Sequence, residues 1–286
     1  MYYLGIDIGS LSCDAVLVDG HGNVAASAVV PTGARNREAI RRVTEEVFNR
    51  TGIERTALGG VVSTGYGRDR VEDRLAAVTE ITCHARGMRT LNPATQILID
   101  IGGQDSKCIQ LSGAGAVINF AMNDKCAAGT GRFLEAMARA LGVDIDEMGS
   151  MDEGAKGTHA ISSMCTVFAE SEVVSLIAEG VPVGEIVLGL HRAIAARTVS
   201  LLKRTIPESD GLAVSMSGGV ARNGGVVRAI AEALGRPVFV PPMPDTVGAL
   251  GAALIARERC LKAQAACPFP PGQSIGKDPS AALFVS

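Results

Sequence analysis

Two glycine-rich segments, each with one aspartate at the end of an apolar stretch, contain the first residues that could do chemistry. Residues 4–10 read Leu-Gly-Ile-Asp-Ile-Gly-Ser around Asp7, and residues 98–103 read Leu-Ile-Asp-Ile-Gly-Gly around Asp100. Each segment continues through a polar tip into a second apolar stretch, which predicts a hairpin. Amides and hydroxyls at such tips bind phosphate oxygens, and carboxylates bind Mg²⁺, usually through water. A single aspartate here more simply caps a turn, but its repetition favours a site for ATP and Mg²⁺.

A third glycine turn follows later in the chain. Residues 215–220 read Ser-Met-Ser-Gly-Gly-Val, which predicts a buried strand that enters a glycine turn and then a helix. A nucleoside can lie against the backbone of such a turn. Glycine turns are common, but three of them in this order are typical of a nucleotide site.

Two of the seven cysteines stand in similar contexts. Cys126 lies in a glycine-rich turn before a predicted helix, and Cys165 precedes a second predicted helix. The unpaired amides and the dipole of a helix N-terminus stabilise a thiolate, so both positions favour metal ligation or nucleophilic reactivity. Two thiolates do not complete a four-thiolate site, and a twofold axis that brings two from each subunit is the simplest completion. An iron-sulfur group is the preferred occupant, and zinc is the alternative.

The other five cysteines are interpreted as structural. Cys13 and Cys108 lie on predicted hairpin strands as small core residues, and Cys83, Cys260 and Cys267 lack partner spacing. The chain starts without a basic region followed by a long apolar stretch, and no apolar run is long enough to cross a membrane. We therefore expect a cytoplasmic protein without disulfides.

The chain is long enough for two lobes. At 286 residues, with 47% hydrophobic and 20% charged side chains, it has an ordinary globular composition. Its formal net charge is −3 and its basic residues are scattered, which argues against a nucleic-acid-binding surface.

Alternating apolar stretches and helical patterns predict an α/β fold. Besides the two hairpins, strands are expected at 58–63, 212–216 and 237–240, and helices at 36–50, 131–141, 167–179, 185–205, 226–234 and 247–263. The repeated hairpin indicates two similar lobes. We expect a first lobe over 1–97, a second over 98–246, a C-terminal helix at about 247–264 that packs back on the first lobe, and a loosely packed tail over 267–286.

With its three glycine turns, nearly the whole chain resembles the superfamily of sugar kinases, heat-shock chaperones and actin. The resemblance implies an actin-like ATPase fold, in which two duplicated ribonuclease-H-like lobes close on ATP. It implies that Asp7 and Asp100 serve magnesium and catalysis, with Gln104 as a third catalytic residue. The implied nucleotide-binding residues are Gly9, Ser10, Leu11, Ser12 and Cys13 in the first hairpin, Gly102, Gly103 and Gln104 in the second, Gly218, Gly219, Val220 and Asn223 in the adenosine loop, and Glu135. Many members carry a lysine at the position of Asp14 and a threonine or similar polar residue at that of Leu11, so this chain differs at both.

Residues 123–135 and 162–173 resemble the activator components of 2-hydroxyacyl-CoA dehydratases, a family that includes ATPase subunits of benzoyl-CoA reductases and reductases of double-cubane cluster proteins. Residues 64–68, 100–105 and 217–223 support the resemblance. It implies a homodimer with ATP in each subunit and one 4Fe-4S cluster held by Cys126 and Cys165 of both subunits. It also implies ferredoxin or flavodoxin as electron donor and a dehydratase, reductase or double-cubane protein as acceptor.

Two other functions stay open from the residues alone. A small-molecule kinase uses the same fold with a carboxylate base beside the acceptor hydroxyl. A dimer held together by a structural zinc ion would bind the metal without hydrolysing ATP. ATP-dependent electron transfer is the function that the sequence favours, because it uses both the nucleotide turns and the paired cysteines.

Overall fold

The computed structural model describes residues 1–157, 159–161 and 165–266 and contains two five-stranded sheets of the same design. The first sheet has the order β3-β2-β1-β4-β5, and the second has the order β10-β9-β6-β7-β8. In each sheet one central strand pairs antiparallel with the next strand of its hairpin and parallel with a strand that follows a crossover. The first sheet consists of β1 (Tyr2–Ile8), β2 (Ser12–Val18), β3 (Val24–Pro31), β4 (Leu58–Thr64) and β5 (Ala76–Ala77). The second consists of β6 (Ile97–Ile101), β7 (Ser106–Leu111), β8 (Val117–Asn123), β9 (Val214–Ser217) and β10 (Val238–Phe239).

The helices flank these sheets. They are α1 (Asn36–Thr51), α2 (Glu80–Leu91), α3 (Gly131–Leu141), α4 (Met148–Met151), α5 (Thr166–Ala178), α6 (Val183–Thr205), α7 (Gly224–Leu234) and α8 (Val247–Ala266). Helix α1 ends at Gly52, whose φ of 66° is left-handed and suits glycine. Within the described ranges, no helix combines the length and apolar character needed to span a bilayer.

The C-terminal helix α8 packs against strands β1 and β4 and helix α2. Two glycines allow this close approach. A Cβ atom on Gly5 would lie 1.9 Å from the carbonyl oxygen of Ala249, and one on Gly251 would lie 1.8 Å from that of Cys83. Any larger side chain at either position would force the helix away from the sheet or from α2.

The duplicated α/β architecture confirms the predicted fold class, and most predicted elements lie within a few residues of their observed bounds. Strands β3 and β8 and helix α2 were not predicted. Strand β3 has three alanines among its eight residues and no regular alternation. Strand β8 does alternate, with Ile118, Phe120 and Met122 between Asn119, Ala121 and Asn123, but these apolar side chains lie on its exposed face. Helix α2 proves to be important for the site, because it begins between the two lobes.

Candidate nucleotide site and cysteine pair

A cavity of about 380 Å³ lies between the two lobes and is lined by all three predicted glycine turns. The structure brings most of the predicted nucleotide-binding residues together in its wall. These are Asp7, Gly9, Ser10, Leu11 and Ser12 from the first hairpin, Asp100, Gly102 and Gly103 from the second, Gly218, Gly219, Val220 and Asn223 from the third turn, and Glu135. Two predicted residues lie elsewhere: the Cys13 side chain is fully buried in the core of the first lobe, and Gln104 is exposed and is not part of the described lining.

The two hairpins touch each other across this cavity. A Cβ atom on Gly103 would lie 2.6 Å from Cγ of Leu11 and 2.8 Å from Oγ of Ser10. Leu11 also reaches Gly131 at the start of α3. The apolar side chain at this position therefore packs across the cleft and joins the lobes.

A buried histidine of α2 joins the two hairpin aspartates. His84 Nε2 lies 3.4 Å from Oδ2 of Asp7, and its Nδ1 lies 3.1 Å from Oδ1 of Asp100. Ser217 donates a hydrogen bond of 2.9 Å to the same Asp100 oxygen. Burial lowers the pKa of His84, but the two carboxylates outweigh this effect and raise it to about 10. At neutral pH the residue is therefore an imidazolium that bridges the lobes.

A buried lysine forms the second positive centre. Lys107 Nζ lies 2.8 Å from Glu80, 3.1 Å from Asp100 and 2.9 Å from Asp105. Burial disfavours its charge, but these carboxylates hold the pKa of Lys107 above its ordinary value. Burial tends to raise the pKa of Asp100, yet His84 and Lys107 together hold it below the usual range. Burial raises the pKa of Glu80 in spite of Lys107, and the charges of Asp7 and Asp105 add to this effect.

The first hairpin has no such lysine. Asp14 is directly opposite Asp7 in the register of β1 and β2, just as Lys107 is opposite Asp100 in β6 and β7. Oδ2 of Asp14 accepts a hydrogen bond of 3.0 Å from Ser12. Burial, followed by the charges of Asp7 and Asp245, raises the pKa of Asp14 well above its ordinary value.

The third turn closes the cavity from the second lobe. Gly218 has a φ of 86°, and a Cβ atom there would lie 2.3 Å from the carbonyl oxygen of Ile101, so only glycine fits. Asn223 Oδ1 accepts a hydrogen bond of 2.9 Å from the amide of Val226 and so caps α7. Arg222 donates two hydrogen bonds, of 2.9 and 2.7 Å, to Oδ2 of Asp245.

The second hairpin is hydrogen-bonded to the start of α3. The amide of Gly131 donates to the carbonyl oxygen of Gly102, and that of Arg132 donates to the carbonyl oxygen of Gly103, both at 2.9 Å. Thr130 Oγ1 donates to the same Gly103 oxygen at 3.0 Å. Helix α3 begins five residues after Cys126, so the second hairpin is hydrogen-bonded to the start of the helix that follows the cysteine segment.

Cys126 and Cys165 are both exposed, and they precede helices α3 and α5, which pack against each other. Cys165 is the N-cap residue of α5. Exposed apolar side chains continue along α5, with Val167 and Phe168 each about two-thirds exposed. Within the described part of the chain, no group of three or more histidine, cysteine or acidic side chains is placed to hold a metal ion. The two thiols of one chain are thus at most half of a four-thiolate site.

The remaining cysteines agree with a structural interpretation where they are described. Cys13, Cys83 and Cys108 are fully buried, and Cys260 is partly buried. Cys267 and the predicted tail lie outside the described residues.

Known proteins match this chain in sequence and in structure. The profile of the BadF/BadG/BcrA/BcrD ATPase family matches residues 4–256. The chain belongs to this family. It is 47% identical to the activator of lactoyl-CoA dehydratase from Anaerotignum propionicum, over 92% of this chain and all of the relative. The structure of the 2-hydroxyisocaproyl-CoA dehydratase activator from Clostridium difficile, with bound ADPNP, superposes with a TM-score of 0.88 at 43% identity, covering 94% of this chain and 99% of that one.

More distant structures show the shared fold alone. A ROK family glucokinase from Streptomyces griseus superposes with a TM-score of 0.54 at 16% identity, covering 90% of this chain and all of the glucokinase. The expected actin-like ATPase fold and the family resemblance are both confirmed.

Sequence reasoning missed the charged residues that surround the two aspartates: Glu80, His84, Asp105, Lys107 and Asp245. One signal was available, because Lys107 follows Asp100 by the same offset at which Asp14 follows Asp7. His84 follows Cys83 in the sequence, and a lone Cys-His pair is explained by packing more often than by a functional site.

Proposed function

We propose that this ATPase hydrolyses ATP to deliver single electrons at low potential to a partner enzyme, as a homodimer that shares one 4Fe-4S cluster. The observation that carries the proposal is the hydrogen bonding of the Gly102 and Gly103 carbonyls to the start of α3. A change in the phosphate hairpin cannot leave this helix, and therefore the Cys126 segment, unaffected.

The cleft supplies the parts that phosphate hydrolysis needs. Asp7 and Asp100 offer hard carboxylate oxygens on the cavity wall, a donor set that fits Mg²⁺. His84 and Lys107 hold fixed positive charge beside them, and both side chains are buried, where electrostatic stabilisation is strong. The backbone of the glycine turns can approach the nucleotide closely. Gln104 stays proposed as the residue that orients water, although its exposed position requires it to turn inward.

The cysteine pair fits half of a cluster site. Two exposed thiols, each before a helix, suit iron-sulfur ligation, and the apolar surface of α5 beside them suits burial against a second subunit. When bound, the cluster would supply one-electron transfer. Making an electron more reducing by 100 mV costs about 2.3 kcal/mol, so repeated transfer at low potential needs an energy source such as ATP.

The partners follow from the relatives. Because those relatives are named as activators of 2-hydroxyacyl-CoA dehydratases, we propose a dehydratase of this class as acceptor, with a benzoyl-CoA reductase or a double-cubane protein as the other candidates. Ferredoxin or flavodoxin is the proposed donor. The proposed location is the cytoplasm, where such carriers are reduced.

The proposal is tested by anaerobic purification followed by iron and sulfide analysis, mass determination in solution and ATPase assay. We expect a brown dimer with about four irons per two chains. Cys126→Ser or Cys165→Ser should abolish the cluster and weaken the dimer, because a poorly ionised hydroxyl replaces a thiolate at two of its four ligands. Nucleotide binding should survive in both variants, since neither cysteine lines the cleft. Four irons per single chain, or full iron in Cys165→Ser, would reject the shared cluster.

A further inference from the structure

The two hairpins place opposite charges at equivalent positions of the nucleotide cleft. Asp7 is opposite Asp14 across β1 and β2, and Asp100 is opposite Lys107 across β6 and β7. All four side chains line the cleft. The second hairpin therefore presents an ammonium group where the first presents a carboxyl group.

The described wall of the cleft has no spare positive charge to balance Asp14. It contains eight carboxylate side chains and three basic ones. Each basic side chain already contacts a carboxylate: Lys107 meets three, His84 meets two, and Arg222 meets Asp245. An anionic triphosphate added to this surface needs further positive charge, because unbalanced buried charge is costly.

Two oxygen atoms are left for a ligand, one on β2 of the first hairpin and one on the turn before α8 that contacts β2. Oδ1 of Asp14 and Oδ1 of Asp245 are buried and have no hydrogen-bond partner among the described residues. Asp14 is only 4% exposed and Asp245 only 9%. Their Oδ2 atoms are held by Ser12 and Arg222, so both side chains are fixed in place. Buried carboxylate oxygens without donors are ligands for a hard cation.

The protein alone does not form a complete site for a divalent ion, since no three suitable side chains of the described ranges converge here. A nucleotide would add phosphate oxygens and complete the coordination. A monovalent ion, which tolerates loose coordination, matches this arrangement. Its charge equals that of the Lys107 ammonium group in the second hairpin.

We propose that this chain binds a monovalent metal cation of the size of K⁺ beside Asp14 and Asp245, where the ion takes the place of a lysine ammonium against the phosphates of the nucleotide. The inference rests on the proposed ATP site. It adds an ion to the Mg²⁺ that Asp7 and Asp100 would hold.

The first test is the affinity of the full-length protein for a non-hydrolysable ATP analogue with Mg²⁺ held constant. We expect binding to be at least about tenfold tighter in K⁺ than in N-methylglucamine at equal ionic strength. Asp14→Lys should bind equally well in both media, because it carries its own charge. Asp14→Asn should also lose the K⁺ effect and serves if the lysine variant does not fold. The matched control Asp146→Asn, which removes another carboxylate of the cleft wall, should keep it.

The second test locates the ion. Crystals grown with the analogue and soaked in Rb⁺ or Tl⁺ should show an anomalous peak beside Oδ1 of Asp14 and Oδ1 of Asp245, and Asp14→Lys crystals should show none.

The possible contrary results differ in meaning. Equal affinity in K⁺ and N-methylglucamine would overturn the cation site and leave the ATP site standing. No binding in either medium would overturn both. A K⁺ effect that survives in Asp14→Asn would also overturn the cation site. So would a nucleotide affinity that depends on pH but not on K⁺, because Asp14 would then bind a proton in place of the ion.

Discussion

Replacing Lys107 by methionine removes the ammonium group from three carboxylates while keeping the volume of the side chain. Lys107 is 2% exposed, and its Nζ lies within 3.1 Å of Glu80, Asp100 and Asp105. Leaving buried charges without their partner costs about 3–5 kcal/mol. For a protein of this size that loss lowers the melting temperature by roughly 10 °C. Urea unfolding without nucleotide at pH 7.5 measures the free energy directly.

The pH dependence separates lost charge from lost packing. In Lys107→Met, Glu80 loses its cation and Asp100 keeps only His84, so the pKa values of these two carboxyl groups rise and they bind protons as the pH falls. The destabilisation should therefore shrink between pH 7.5 and pH 5. The matched control Lys203→Met changes the same residue type at an exposed position of α6 and should stay within about 0.5 kcal/mol of wild type. A loss in Lys107→Met below about 1 kcal/mol, or one that is equal at both pH values, would refute the reasoning.

Three further predictions concern His84, Asp7 and Gln104. The pKa of His84 is raised from an ordinary value of about 6.5 to about 10. The stability it contributes is therefore complete below pH 6.5 and is lost, at about 1.4 kcal/mol per pH unit, as the pH rises toward 10. His84→Gln should flatten this slope in urea unfolding measured from pH 6.5 to 9.5, and an unchanged slope would assign it to another group. Asp7→Asn should lower ATP turnover by about 100-fold, the scale of a lost electrostatic contribution, while ATP still binds. Gln104→Ala should lower turnover with little change in nucleotide affinity, and wild-type turnover in either variant would remove that residue from the mechanism.

The fold could be predicted from the sequence because the same hairpin motif occurs twice. Each aspartate hairpin combines an apolar strand, a glycine turn and a second apolar strand, and the two copies indicate two similar lobes. The long amphipathic helices were equally clear, and α3 was predicted over the same residues that it occupies. Strand β8 was missed although its apolar residues alternate with polar or small ones. What the alternation does not reveal is that the apolar side chains, such as that of Phe120, lie on the exposed face of the strand.

The candidate site was predicted only in its backbone parts. Glycine turns can be recognised in the sequence because few other residues fit their backbone conformation and close contacts, as Gly218 shows. The partners of Asp7 and Asp100 could not be predicted, because they come from distant segments that only the fold brings together. His84 contacts Asp7 across more than seventy residues of chain, from a helix that was not predicted although Thr79 caps its start. Cys13 shows the opposite error: it was predicted to bind nucleotide because it lies in the first hairpin, but its side chain belongs to the core.

The central claim is that the state of the nucleotide reaches the cysteine pair through the second hairpin and α3. The most direct measurement is the rate at which a chelator removes iron from the reduced dimer with MgADP and with Mg²⁺ and a non-hydrolysable ATP analogue. Because the Gly102 and Gly103 carbonyls are bonded to the start of α3, we predict rates that differ by at least about tenfold between the two nucleotides, the change produced by roughly 1.4 kcal/mol of coupling. Equal rates in a dimer shown to bind both nucleotides would contradict the account.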